Sequence, residues 1–209
     1  MLALVALVFL AAGIFVRQSG PPPLALPTAR AGAPAGALDG TWRVATGSVA
    51  GFRVRQSALG FSGTVVGRTG AVGGSLVISG DRVTRAAFRI DLRTVNVGGK
   101  ARAQFARSLG TADHPVAVFT LARPVALTPA FASGTTITVT ATGRLAMHGT
   151  SHLVTVTLSG RRDGTALQAA GSIPVSFAEW GIQGPRGLGF FGSLAGQGSA
   201  EFLLTLHRH

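Results

Sequence analysis

The chain has 209 residues, 46% of them apolar and only 12% charged, a balance that excludes a disordered polypeptide and allows one packed domain plus an appendage. Its net charge of +12, carried by arginines and the single lysine Lys100, suits an acidic partner such as an anionic membrane, a phosphate head group or nucleic acid, and equally suits the codon usage of a GC-rich genome. The absence of cysteine excludes disulfides, thiolate metal sites and a cysteine nucleophile, but not export, because a core of this size needs no covalent staples.

In chain order, residues 1–16 form an almost unbroken apolar run, MLALVALVFLAAGIFV, followed at once by Arg17. Sixteen residues fall short of the ~20 that span a bilayer, and no basic residue precedes the run as in a signal peptide. The nearest small-x-small triplet, Ala29-Arg30-Ala31, is far from the run. An uncleaved membrane anchor is therefore preferred to a cleaved signal, with an extracytoplasmic location at the cell envelope, anchored or secreted. Residues 17–38 are rich in Pro, Ala and Gly and read as an extended linker. The folded domain is expected over 39–209.

From Thr41 onward the apolar period is two. Phe52 and Val54 alternate with Arg53 and Arg55, and Phe88, Ile90 and Leu92 with Arg89, Asp91 and Arg93. Ile137, Val139 and Ala141 alternate with threonines, as do Val154 and Val156. Ile173, Val175 and Phe177 continue the pattern, and Ala200, Phe202, Leu204 and Leu206 close it. This is the signature of antiparallel strands with one apolar and one wet face. Turn signals at Ser79-Gly80-Asp81, Ser133-Gly134, His148-Gly149-Thr150 and Asp163-Gly164 separate eight to ten strands. One segment reads as helix, roughly Gly99–Ser108, since it is rich in Ala and Arg and lacks β-branched residues. Such strands pack as a sandwich or close as a barrel.

The order of several motifs resembles the YceI-like family. It begins with Trp42-Arg43-Val44, Ser48, Gly51-Phe52-Arg53-Val54-Arg55 and Val66-Gly67-Arg68-Thr69, with Gly73-Gly74-Ser75-Leu76 after them. It continues through Phe88-Arg89-Ile90-Asp91-Leu92, Asp113–Phe119 and Thr142–Thr150, and ends at Ile173–Ile182. The resemblance spans 41–208. It implies an all-β, antiparallel eight-stranded lipocalin-like barrel with one short helix, whose members bind polyisoprenoid or other amphiphilic chains and are typically periplasmic, secreted or membrane-anchored. Many members carry an Arg-Asp pair on the helix; here Arg102 fits and Ala103 replaces the acidic partner.

A lipid tail needs a dry, elongated pocket, and aromatic side chains offer large rigid area for one. Phe52, Phe88, Phe119, Val139, Met147, Phe177 and Trp180 are the candidate lining residues, though ordinary core packing accounts for any one of them. Phe190 and Phe191, adjacent aromatics in a Gly-rich loop, are candidates for a flap over the mouth. Arg102, with Lys100 and Arg186, could fork onto a phosphate head group.

No other chemistry is supported. His148 and His152 lack the further ligands a structural metal site takes, the seven acidic residues are scattered, and no nucleophile elbow occurs. No catalytic residue, metal or cofactor is therefore assigned, and the chain is not read as an enzyme. Nucleic acid is disfavoured because Phe52 and Arg53, like Phe88 and Arg89, fall on opposite faces of their strands, whereas a stacking platform needs both on one face. The expected partners are a lipid or polyisoprenoid ligand and, through the N-terminal run, a membrane; a homodimer is left open. The alternatives are an envelope barrel plugged by its own side chains and a basic barrel binding an anionic polymer.

Overall fold

A computed structural model describes residues 20–29, 34, 36–58, 61–97, 101–183 and 193–209; at 57–58, 61–62, 101–104 and 193–195 it describes the backbone alone. The apolar run at 1–16 and the loop carrying Arg186, Phe190 and Phe191 lie outside these residues, as does Lys100.

The alternating segments form β1 (Gly40–Val44), β2 (Val49–Ala58), β3 (Phe61–Thr69), β4 (Val72–Ser79), β5 (Arg82–Asp91), β6 (Val116–Leu121), β7 (Val125–Ala126), β8 (Ile137–Met147), β9 (Thr150–Asp163), β10 (Ala166–Ser176) and β11 (Ser193–Arg208). β1 and β2 both pair antiparallel with β11, one after the other along its length, and β4 and β3 pair with β1 and β2 in the same way. The first four segments are thus one long bent hairpin, 40–58 against 61–79. The remaining neighbours follow in chain order, β4-β5-β6-β8-β9-β10-β11, and the β1–β11 pairing closes the circuit. The result is a closed, antiparallel, eight-stranded barrel that meanders up and down, with no edge on the main circuit.

Three of the hairpins turn on the residues expected. Ser79 pairs with Arg82, Met147 with Thr150 and Asp163 with Ala166, leaving two-residue loops at Gly80-Asp81, His148-Gly149 and Gly164-Thr165. At the second loop both φ angles are positive, 50° for His148 and 74° for Gly149, which matches the right-handed twist of the strands it joins. The expected helix is α1 (Ala101–Ser108). A 3₁₀ turn at Leu92–Thr94 and a single helical turn at Pro129–Ala132 add to it. Both are too short to show a periodicity, which is why the pattern of the sequence does not reveal them.

The barrel has two unlike ends. At one, Phe131 from the Pro129–Ala132 turn packs with Trp42, Ile78, Leu127, Leu167 and Leu206 and closes the tube. Trp42 is 1% exposed and its indole Nε1 donates to Leu38 O at 2.8 Å. At the other end α1, which lies between β5 and β6 in the chain, brings Phe105 onto the cavity, and Leu109 follows just after it.

The outer face departs from the simple wet-face expectation. Arg161, Arg162, Gln168 and Glu201 are all buried. The Pro-rich stretch expected as a linker lies over them. Leu24 N donates to Glu201 Oε2 at 3.4 Å, and Arg161 Nη2 donates to Pro27 O at 2.6 Å.

Candidate ligand-binding cavity

The inward residues of eight strands leave an elongated cavity of about 260 Å³ along the barrel axis. Its wall is almost wholly apolar because the period-two pattern sends the Arg and Thr side chains outward. Six of the expected residues share this wall: Phe52 on β2, Phe88 on β5, Phe119 on β6, Val139 and Met147 on β8, and Phe177 just after β10.

Two glycines shape the wall. A Cβ at Gly143 would stand 2.2 Å from the ring of Phe119, and one at Gly67 would stand 2.2 Å from the ring of Phe52. Both aromatic rings therefore lie flat against bare backbone instead of projecting across the tube. The space they vacate belongs to the cavity.

Trp180 is not part of the lining. It is 2% exposed and packs with Leu145, Val156, Ile173 and Val175 at the mouth end, edge-on to the His152 ring at 4.5 Å between centroids. The expectation rested on its place as the aromatic before Gly181 in the family-like 173–182 motif; the backbone reverses through 177–181 and packs this side chain beside the lining residues instead of on the cavity wall. Arg102 lies on α1, where only the backbone is described, and Phe190 and Phe191 lie outside the described residues.

The structure adds residues that the pattern of the sequence did not single out. Phe105 on α1 stacks on Phe52 with ring centroids 3.7 Å apart and planes 3° from parallel, so the helix is fastened to the barrel rim by an aromatic pair. Leu109 follows it on the lining, and Phe202 and Phe131 complete the aromatic wall. Phe105 had a legible signal, being the lone aromatic of an Ala/Arg-rich helix. Phe202 had one too, in the alternation of the last strand. Phe131 had none, because a four-residue helix carries no period.

The polar groups at the mouth hold backbone in place. His148 Nδ1 is 2.9 Å from Leu109 O, and its Nε2 is 3.3 Å from Gly181 O. This links the β8–β9 turn to the end of α1 and to the 177–181 reversal. A neutral ring donates to one of these carbonyls, an imidazolium to both. His152 instead meets Trp180, so the two histidines serve different neighbours. Asp91 caps the Leu92–Thr94 turn through Arg93 N at 3.0 Å and binds the Arg93 guanidinium at 2.7 Å. That hydrogen bond, with the nearby charge, holds the Asp91 carboxyl below its ordinary value. The Asp-Leu motif thereby starts the segment that folds over the mouth.

Such an arrangement is a dry tube, closed at one end and covered by a helix at the other. Residues 42–199 match the family model for the YceI-like domain. No curated protein matches the chain. Among solved structures, the chain is similar to a polyisoprenoid binding domain from Saccharophagus degradans implicated in plant cell wall breakdown, with 20% identity and a TM-score of 0.64 over 82% of this chain and 99% of that one. It is also similar to Burkholderia cenocepacia BcnA, with 16% identity and a TM-score of 0.58 over 75% of this chain and 95% of that one. At these identities the likeness establishes the fold alone. The family match extends over most of the barrel from Trp42 onward, and the chain belongs to the YceI-like domain family.

Proposed function

We propose that the barrel binds a long-chain amphiphile, a polyisoprenoid or related lipid, with the tail in the cavity, and carries it without chemical change at the cell envelope. The observation that carries this reading is the apolar cavity of about 260 Å³ running between a closed end and a helix-covered mouth. A barrel plugged by its own side chains would have no such space. Burial of each CH₂ contributes roughly 0.8 kcal/mol, so a tail of several isoprene units is held without any polar contact in the tube. The polyisoprenoid-binding structural relative supports the ligand class. The apolar run at 1–16 supports a membrane tether and hence the envelope location. Arg102 on α1, beside the mouth, is the residue assigned to an anionic head group.

Native mass spectrometry followed by organic extraction of the full chain from a bacterial host tests the reading. A released hydrophobic mass with isoprene increments is the expected result. An empty barrel that also takes up no added prenyl chain would overturn it.

A further inference from the structure

The Pro-rich segment before the barrel is bound along its outer wall. It crosses the strands rather than running beside one. At β3, a Cβ on Gly20 would meet Val66 at 2.9 Å, and Arg68 Nη2 donates to Pro22 O. At β2, Arg53 Nη2 donates to Pro21 O at 2.6 Å while its Nε holds Glu201 of β11 at 2.7 Å. Glu201 in turn accepts from Leu24 N. At β9, Arg161 Nη2 donates both to Pro27 O and to Gln168 of β10, at 2.6 and 2.7 Å. Four of the five neighbouring strands β3-β2-β11-β10-β9 thus bond or touch one stretch of chain directly, and β10 takes part through Gln168, which holds Arg161.

The spacing fits a polyproline II strand. Four gaps between adjacent strands span about 19 Å. The five steps from Pro22 to Pro27 span about 16 Å in that conformation, and arginine side chains cover the difference. Polyproline II leaves every carbonyl without an internal partner, and here guanidinium forks take three of them. Prolines at 21, 22, 23 and 27 fix φ in advance, so little chain entropy is lost on docking. Apart from the Leu24 amide, the hydrogen bonds between 20–29 and the other described residues use main-chain oxygens, so the wall recognises the backbone conformation.

We propose that the Arg53/Arg68/Arg161 wall is a binding site for a polyproline II strand, that residues 20–29 are its resident ligand, and that this clamp holds the barrel close against the lipid bilayer that takes the apolar run. The last point rests on the membrane-tether reading above. A free segment 17–38 would reach about 68 Å if fully extended as polyproline II. With the clamp in place only residues 17–19 separate Val16 from Gly20, a reach of about 14 Å. Gly20 meets β3 at Thr64 and Val66, on the mouth-side half of the long strand 61–79. The covered mouth is thereby kept at the membrane surface, where a hydrophobic ligand enters and leaves without crossing much water.

The test uses the full chain bound to vesicles of phosphatidylcholine and phosphatidylglycerol. A donor dye on Ser151→Cys, exposed beside the β8–β9 turn at the mouth, reports energy transfer to labelled lipid head groups. Hydrogen exchange at the Leu24 amide reports the clamp itself. The parent should show a protected Leu24 amide and strong transfer. The triple variant Arg53→Gln/Arg68→Gln/Arg161→Gln should lose both while still sedimenting with vesicles. A second variant, Pro21→Gly/Pro22→Gly/Pro27→Gly, leaves every barrel residue intact and should weaken both in the same direction. An unprotected Leu24 amide in the parent, or transfer unchanged when that protection is lost, would overturn the proposal. A parent chain that fails to sediment with vesicles would overturn the tether reading and the stand-off together, whereas its prenyl uptake would still speak for the cavity.

Discussion

Ala141 lies on β8 opposite Val156, is 4% exposed and faces the cavity. Replacing it by Phe directs a ring into the space assigned to the ligand tail while leaving the strand and its pairings unchanged. The ring displaces roughly one five-carbon isoprene unit, worth about 4 kcal/mol at 0.8 kcal/mol per CH₂. That corresponds to about a thousandfold rise in Kd. Folding should suffer far less, because the ring enters empty space; overpacking a full core costs about 1–3 kcal/mol, and this site should fall at or below the low end. Binding of a fluorescent prenyl probe and urea denaturation, measured on the same preparation, separate the two quantities. A folded Ala141→Phe protein that binds the probe as tightly as the parent would refute the placement of the tail in the cavity.

Gly143→Ala should lift the Phe119 ring off the backbone and into the tube, lowering stability by about 1–3 kcal/mol and shifting preference toward shorter prenyl chains; thermal melts and a chain-length series check it. Phe177→Asp should lose ligand binding and roughly 3 kcal/mol of stability together, because it removes an apolar wall residue and turns a charge toward the cavity. Arg102→Ala should weaken a prenyl phosphate by about 10- to 100-fold, the value of one charge-assisted hydrogen bond, and leave a prenyl alcohol unchanged; equal weakening of both would remove the head-group assignment. Asp91 has its pKa lowered in the folded chain from 3.8, so its stabilising contribution is present above that pH and lost as pH falls through the folded value. Asp91→Asn should therefore have a lower urea midpoint than the parent at neutral pH, and the difference should vanish in acid.

Much of the architecture is local and so was written in the order of residues. Phe88 and Ile90 face one way and Arg89 the other because a pleated strand has no alternative, and that alternation pointed to four of the six wall residues, while Phe119 and Met147 came with the motifs of the family resemblance. The turns at Gly80, Gly149 and Gly164 adopt positive φ, which glycine permits at little cost, so the hairpins are legible too. Trp180 lies beyond the strand, where period two does not govern direction, and only the reversal through 177–181 sets what it packs against. The flat seating of Phe52 and Phe119 depends on Gly67 and Gly143, which reach them only across a strand pairing. Closure of the barrel likewise needs β1 to find β11 at the far end of the chain.

The basic charge is the sharpest case. In the sequence it pointed outward to an acidic partner. In the fold, Arg53, Arg68 and Arg161 bind carbonyls of the chain's own Pro-rich segment. Composition records how many guanidiniums there are. Which acceptors they meet depends on side chains from five strands converging on one line, and only the closed barrel brings them there.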